Sequence, residues 1–254
     1  MFNLIIFLER GQPIFKEIVD SLLNSNNVHL VRHPEKADVA LVLNERPVHK
    51  IEQLLTKYPH LTILTTMTPY LFNNDRVFFL NGRRRDLNIN CFVNYLWDVR
   101  HRINHIDIKI GYNTSIDLRT EAMEALSVIA MLIVFDVSKL TVHLSSNNDG
   151  CHMSCYERSE NFTASCYITR KSPSTFFEEI TVFTTDGRRY TLNGGDVGAH
   201  SYAERYGAAW QTILEETLKD KKRTYQQNIE QLILKVKGAS TGVFGNRDPY
   251  RGRG

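Results

Sequence analysis

Residues 178–218 read EEITVFTTDGRRYTLNGGDVGAHSYAERYGAAWQTILEETL. The spelling predicts a strand, a tight turn at Asp186-Gly187, a second strand, a loop and an amphipathic helix. Ile180, Val182 and Phe183 are β-branched or aromatic. Asp-Gly between two such runs is a strong short-range hairpin signal, and a two-residue turn there needs φ > 0 at both central residues. Beyond the loop, Tyr206, Trp210, Ile213, Leu214 and Thr217 recur at helical spacing. One face of 201–218 therefore packs on something, and the sheet containing the hairpin is the nearest candidate. A strand pair closed by a long helix is expected as the late half of a two-domain α/β protein.

Upstream, the pattern divides near residue 103. NLIIFL at 3–8 is a continuous apolar run, as in a strand buried on both faces. A helix follows to about residue 24, with Pro13 tolerated in its first turn. Short strands are expected at 28–31, 38–43, 61–66 and 77–80, with helices at 48–57 and 88–102. Strands alternating with helices point to βαβ units and a parallel, doubly wound sheet. From 105 on, strands at 105–112, 138–145, 151–157, 162–170, 178–184 and 188–192 alternate polar and apolar residues, which is antiparallel behaviour. Helix 119–135 is apolar almost all round, so it is expected to be buried on most sides. A final helix is read at 225–237. The expected fold class is α/β: a Rossmann-like parallel sheet over 1–103, an α+β unit with an open, mostly antiparallel sheet over 104–245, and a flexible tail at 246–254.

The chain has 254 residues, 42% of them hydrophobic and 23% charged, which suits a globular protein with a sizeable core rather than a disordered one. The net charge of +3 does not by itself call for nucleic acid or a membrane. No apolar run approaches the ~20 residues that cross a bilayer. The opening FNLIIFL lacks a basic leader and a cleavage site. A cytoplasmic protein is expected, with Cys91, Cys151, Cys155 and Cys166 reduced. Cys151-His152-x-x-Cys155 with Cys166 invites a zinc reading. On strands, however, Cys151 and Cys155 share one face, His152 points the other way, and Cys166 falls opposite Met153. Small core residues are the expectation, with no metal. Arg83-Arg84-Arg85 and the tail arginines Arg247, Arg251 and Arg253 lie far apart in sequence. They read as a solvated turn and a loose tail, so nucleic acid is not an expected partner.

Three stretches carry a family resemblance: the hairpin ITVFTTDGRRYTLNG, the helix YAERYGAAWQTILEETL, and QNIEQLILKVKGASTGVF with its small residues Ala239-Ser240-Thr241-Gly242-Val243. The chain resembles the Gfo/Idh/MocA family of NAD(P)-dependent oxidoreductases, which includes the biliverdin-reductase-like enzymes. The likeness covers most of 105–245 and, less clearly, 28–70. It implies a Rossmann domain, an open antiparallel sheet and NADP or NAD as cofactor.

The chemical motifs of that family are worn away. Its G-x-G-x-x-G phosphate loop corresponds to Leu8-Glu9-Arg10-Gly11-Gln12-Pro13, with one glycine of three. Its E-K-P is represented by Glu45-Arg46-Pro47 or by Met67-Thr68-Pro69, and both lack the lysine. Arginine does not replace it as a proton donor. The family's D-x-x-x-H helix corresponds to EAMEALSVIAMLIVF, which holds no histidine; its Glu121 and Glu124 read as the polar start of a buried helix. A strand–helix unit between the second and third strands is also missing. No catalytic residue is assigned. Arg10, Gly11 and Pro47 remain candidates for the cofactor, with Arg32 at the position that holds a 2′-phosphate in NADP-binding proteins. The resemblance thus implies an oxidoreductase-like protein that has lost catalysis and acts as a dimeric accessory or interaction protein, its cofactor retained or lost. The implied homodimer or heterodimer forms through the sheet face bearing Thr141, His143, His152, Ser154, Tyr156, Thr163 and Tyr167. The alternative is an active NAD(P)H-dependent reductase of a small activated substrate such as an imine or carbonyl. A third reading is a small RNA-binding module using the arginine-rich turn and tail.

Overall fold

The computed structural model describes residues 2–8, 19–24, 27–43, 48–65, 74, 76–79, 83, 86–112, 118–172, 176–193, 199–220 and 240–242. Strands β1 (Phe2–Leu8), β2 (Val28–Leu30), β3 (Val39–Leu43), β4 (Thr62–Thr65) and β5 (Val77–Phe79) form one parallel sheet in the order β2-β1-β3-β4-β5. Leu4, Val39, Ala40, Leu41, Val42, Ile63 and Leu64 are fully buried. That is why these strands read as unbroken apolar runs: helices cover parallel sheets on both faces. Helix α1 (Val48–Lys57) carries the connection from β3 to β4. Its C-terminal end is closed by Arg76, which donates to the carbonyls of Leu55, Tyr58 and Pro59 at 3.0, 3.1 and 2.7 Å. The expected helix at 14–24 is described only over 19–24, and the expected helix at 225–237 and the tail lie outside the described residues.

The reading of 88–102 as one helix is corrected. Helix α2 runs Leu87–Tyr95, and a 3-10 helix follows over Trp97–Arg102. Asp86 caps α2 by accepting from the Ile89 N–H at 3.0 Å. The tighter turn puts Arg100 on the end of the neighbouring helix, where it donates to the carbonyls of Leu132 and Ile133 at 3.2 and 2.6 Å. These oxygens are among the four a helix C-terminus leaves unbonded.

The second sheet is larger. It comprises β6 (Ile103–Tyr112), β7 (Thr141–Ser146), β8 (Gly150–Glu157), β9 (Phe162–Thr169), β10 (Phe176–Thr184), β11 (Arg189–Asn193) and β12 (Ser240–Gly242), in the order β11-β10-β6-β9-β8-β7-β12. Four pairings are antiparallel, while β6–β9 and β7–β12 are parallel. Strand β12, on the small-residue segment, was not expected, and 137–139 is a 3-10 turn capped by Asp136 rather than the start of a strand. Helix α3 (Leu118–Leu132) packs on β6, β8 and β9 and is buried from Ala122 to Ile129, as its apolar composition predicts. Helix α4 (Ala199–Asp220) buries Tyr206, Trp210, Ile213 and Leu214, four of the five residues picked out by spacing; the side chain of the fifth, Thr217, lies outside those described. Among the described residues, no helix is long and apolar enough to cross a membrane.

The hairpin turn differs from the two-residue form expected. Gly187 has φ +79°, while Asp186 is not left-handed. The Gly187 N–H donates to the Thr184 carbonyl and the Thr184 N–H to the Arg188 carbonyl, at 2.9 and 3.1 Å. This is a three-residue loop: a turn followed by a left-handed glycine. Asp186 fits because its side chain accepts from the Thr184 hydroxyl at 2.5 Å, and that bond, first, holds its carboxyl below the usual range.

Candidate functional site

In open α/β sheets ligands bind beyond the carboxyl ends of the strands, where the strand order reverses. Here that point lies between β1 and β3. Strand β3 follows β1 to its end, pairing Leu43 with Leu8. Strand β2 does not: it pairs only Phe2 to Leu4 and then stops. The chain crosses to β3 through residues 31–38, with a 3-10 turn at Pro34–Lys36. The crossing is bonded low on β1. The Val31 N–H donates to the Leu4 carbonyl, the Asp38 N–H donates to the Asn3 carbonyl, and the Asn3 N–H donates to the Asp38 carboxylate at 2.7 Å. β1 thus runs four residues, about 13 Å at ~3.3 Å per residue, beyond the level where β2 ends. Apart from that 3-10 turn, no helix or strand stands between β2 and β3. Arg32 lies on this crossover, exposed to solvent. Arg10, Gly11, Pro47 and the Met67-Thr68-Pro69 segment lie outside the described residues, so the phosphate-loop candidates are not placed against Arg32.

Arg83, between β5 and α2, has polar partners on several elements. It is fully buried, so the expectation of a solvated turn is corrected for this residue; Arg84 and Arg85 lie outside the described residues. Its Nε donates to Glu178 at 2.7 Å and its Nη1 to Glu121 at 2.6 Å, with Glu124 at 3.4 Å. Its Nη2 donates to the Tyr112 hydroxyl at 2.9 Å, which in turn donates to Glu121 at 2.7 Å. The Arg83 backbone N–H donates to Glu124 at 3.1 Å, and the guanidinium carbon lies 5.9 Å from the centre of the Tyr206 ring. Burial pulls the Arg83 pKa down, but Glu121 foremost, with Tyr112, Tyr206 and Glu178, holds it well above its ordinary value. The group therefore keeps its charge. Three carboxylates from α3 and β10, one phenol from β6 and one ring from α4 converge on a residue that follows the first sheet. Chemically this is an anchor between the two sheets: the guanidinium gives up no proton.

Two signals in the sequence point to this cluster. Glu178 occupies an inward position of β10, in phase with Phe176, Ile180 and Val182. Glu124 stands inside a helix that is otherwise apolar. A carboxylate in either place needs a cation, because buried charges are paired.

The other face of the second sheet is open. Register puts Thr141, Tyr156 and Thr163 in one row, His143 and Ser154 in the next, and His152 and Tyr167 in a third. The seven residues named for this face from sequence lie on one side, as alternation predicts. His143 stacks on Tyr156, and Tyr167 is 53% exposed. Lys109, flanked by Glu179 at 3.1 Å and Asp107 at 3.6 Å, extends the polar rows onto β6.

Cys151, Cys155 and Cys166 lie on the inner face with Met153 opposite Cys166, and His152 points outward, as the strand geometry predicts. Burial pushes the Cys155 thiol up to about 12 and raises that of Cys166 well above its ordinary value. Both stay protonated. The folded pKa exceeds the unfolded value of about 8.5, so this stabilisation is complete below that value and is lost as pH rises toward 12. Two outcomes are expected: an alkaline decline in stability beginning near pH 9, and rapid reaction of a thiol reagent with Cys91 alone, the exposed one of four. Four thiols reacting at equal speed in the native protein would contradict this.

Comparison with known proteins agrees with the architecture. No family model matches the sequence, and no curated protein matches it. Solved structures do. A protein of gentamicin A biosynthesis in complex with NAD aligns over 93% of this chain and 92% of its own, with TM-score 0.69 at 7% identity. The myo-inositol 2-dehydrogenase of Lactobacillus plantarum aligns over 91% and 93%, with TM-score 0.67 at 12% identity. A Gfo/Idh/MocA family oxidoreductase from Vibrio cholerae aligns over 93% and 95%, with TM-score 0.58 at 10% identity.

Proposed function

We propose that the chain, which has the Gfo/Idh/MocA dehydrogenase fold along nearly its whole length, keeps this scaffold without the hydride transfer and works as a dimeric accessory or interaction protein. The observation that carries the reading is the low crossover between β2 and β3. The end of the second strand is where a dinucleotide's adenosine ribose is held. Here that end stops four residues short of the end of β1, and the chain turns away. This geometry supports a reading in which the adenosine seat is lost.

The carboxylates of α3 strengthen the reading. Glu121 and Glu124 lie on the helix where the resemblance calls for an acid–base pair, and both are bonded to Arg83. A general base needs reach to a substrate proton and a pKa matched to its task. Both carboxylates are instead turned onto Arg83, so reaching a substrate proton would compete with those bonds. The dimer is assigned to the open sheet face, whose mixture of Tyr167, Tyr156 and His143 with small hydroxyl side chains suits an interface. A homodimer and a heterodimer with a related active chain use the same face. A cytoplasmic setting, where thiols stay reduced, suits the four free cysteines.

The test has two readings on one preparation. NADPH and NADH titrated to about 1 mM, well above the micromolar KM values common in enzymes, should give no saturable change in nicotinamide fluorescence. Light scattering should give twice the 29.3 kDa chain mass, falling to the single mass in Tyr167→Glu. Micromolar nicotinamide binding with turnover of an imine or carbonyl establishes the alternative, an active reductase. A monomer with no co-purifying partner removes the dimer.

A further inference from the structure

Register places three histidines on the open face of the second sheet, one in each of three neighbouring rows. His105 of β6 lies between Phe183 and Thr163, His143 of β7 lies beside Ser154, and His152 of β8 lies between Tyr167 and Ser145. Two of the rings are seated on neighbours. His105 Nδ1 is 2.8 Å from the Thr163 hydroxyl, and its ring centre lies 5.6 Å from that of Phe183. His143 stacks on Tyr156 with centroids 5.7 Å apart. His143 and His152 are exposed, and His105 is half-buried.

The other charges of this face cancel. Among the described residues of the same rows they are Arg189 from β11, Glu179 from β10, and Asp107 and Lys109 from β6. Arg189 lies over the Phe183 ring, and Lys109 sits between Glu179 and Asp107 at 3.1 and 3.6 Å. At the β8–β9 turn, Arg158 against the Tyr156 ring and the exposed Glu160 add one charge of each sign. Tyr156 and Tyr167 are the remaining titratable side chains of these rows. A face with balanced charge meets its own copy without net repulsion, whereas a face of one sign needs an opposite partner. The occupant it fits is therefore a second copy of this chain. Protonation of the histidines ends the balance: it adds three positive charges to each copy and six to the pair.

We propose that two copies of this chain join through the open sheet face near neutral pH and separate in mild acid, when His105, His143 and His152 take up protons. This rests on the dimer reading above and adds its regulation. A charge closed between two sheets leaves water and stands among like charges, and both cost free energy. The separated chains therefore bind protons more readily than the dimer does, and acid favours separation by mass action. The sign follows: association is at full strength above the pH range in which histidine titrates and is lost as pH falls through it. Each histidine that stays neutral in the dimer weakens association roughly tenfold between pH 7.5 and 5.5.

The experiment is analytical ultracentrifugation of the full chain over a concentration series at pH 7.5 and 5.5, with circular dichroism at both to follow the fold. The dimer dissociation constant should rise about a hundredfold or more at pH 5.5, the effect of two of the six histidines. Added salt at pH 5.5 should restore part of the association, because it screens like charges. For variants the readout is the ratio of the two dissociation constants, whatever the affinity at pH 7.5. His105→Gln, His143→Gln and His152→Gln should each shrink that ratio, and the triple variant should bring it near one; where the triple variant does not associate, the single variants decide. A dimer equally tight at both pH values overturns the proposal and leaves the dimer standing. A monomer at pH 7.5 removes the dimer and the proposal together. A ratio unchanged in all three single variants, or separation that comes with loss of the fold at pH 5.5, also overturns it.

Discussion

Arg83→Ala is expected to lose roughly 3–5 kcal/mol of stability, the range for removing one partner of a buried ion pair. For a chain of this size that corresponds to a fall of about 10 °C in melting temperature. The side chain is 1% exposed, and the carboxylates it leaves behind are 14%, 6% and 2% exposed for Glu121, Glu124 and Glu178. Water cannot easily replace the guanidinium at such depth, so the carboxylates are left facing one another. Arg83→Met, which restores bulk but not charge, should recover little. Glu178→Gln keeps an acceptor for Nε and removes one negative charge, so its cost should be about 1 kcal/mol. Urea unfolding of the three variants orders them. If Arg83→Ala lies within about 1 kcal/mol of the wild type, or if Arg83→Met is as stable as the parent, the cluster is not the anchor described.

What could be read in advance follows from how local each signal is. Alternation assigned the outer face of the second sheet residue by residue, because a strand's period of two leaves no freedom once the inner residues are apolar. Met153 opposite Cys166 came from the same rule. Helix α4 was legible from Tyr206, Trp210, Ile213 and Leu214, which share a face at helical spacing. Arg83 was not legible as a buried residue. It sits in a run of three arginines, a composition that ordinarily means solvent, and its side-chain hydrogen-bond partners are 29 to 95 positions away. Only the misplaced carboxylates hinted at it, Glu178 on an inward strand position and Glu124 in an apolar helix. The turn at Asp186-Gly187 was right as a hairpin and wrong in length, because one left-handed glycine serves both the two-residue and three-residue forms. The low crossover was foreseen only as a missing unit. Its height on β1 is set by the backbone bonds of Val31 and Asp38, which no spacing rule reveals.

Trp210→Ala should be as damaging as loss of Arg83, at roughly 3–5 kcal/mol, because truncating a buried tryptophan removes its transfer energy and leaves a cavity. Trp210 is 2% exposed and belongs to the continuous core, with Ile213 and Leu214 after it. The control is Thr212→Ala on the outward face of α4, where the hydroxyl only donates back to the Ala208 carbonyl at 3.1 Å; its effect should stay within about 0.5 kcal/mol. The informative measurement is the double variant. Tyr206 stands one helical turn before Trp210 and its ring faces Arg83, so loosening α4 should also loosen the wall of the charge cluster. Deletions that share a wall are not additive. The combined loss in Arg83→Ala, Trp210→Ala should therefore fall short of the sum of the single losses by at least about 0.5 kcal/mol, the lower end of coupling between neighbours. Strict additivity in urea unfolding would mean that helix α4 and the cluster hold the molecule independently, and that Arg83 anchors the sheets without help from the helix that closes them.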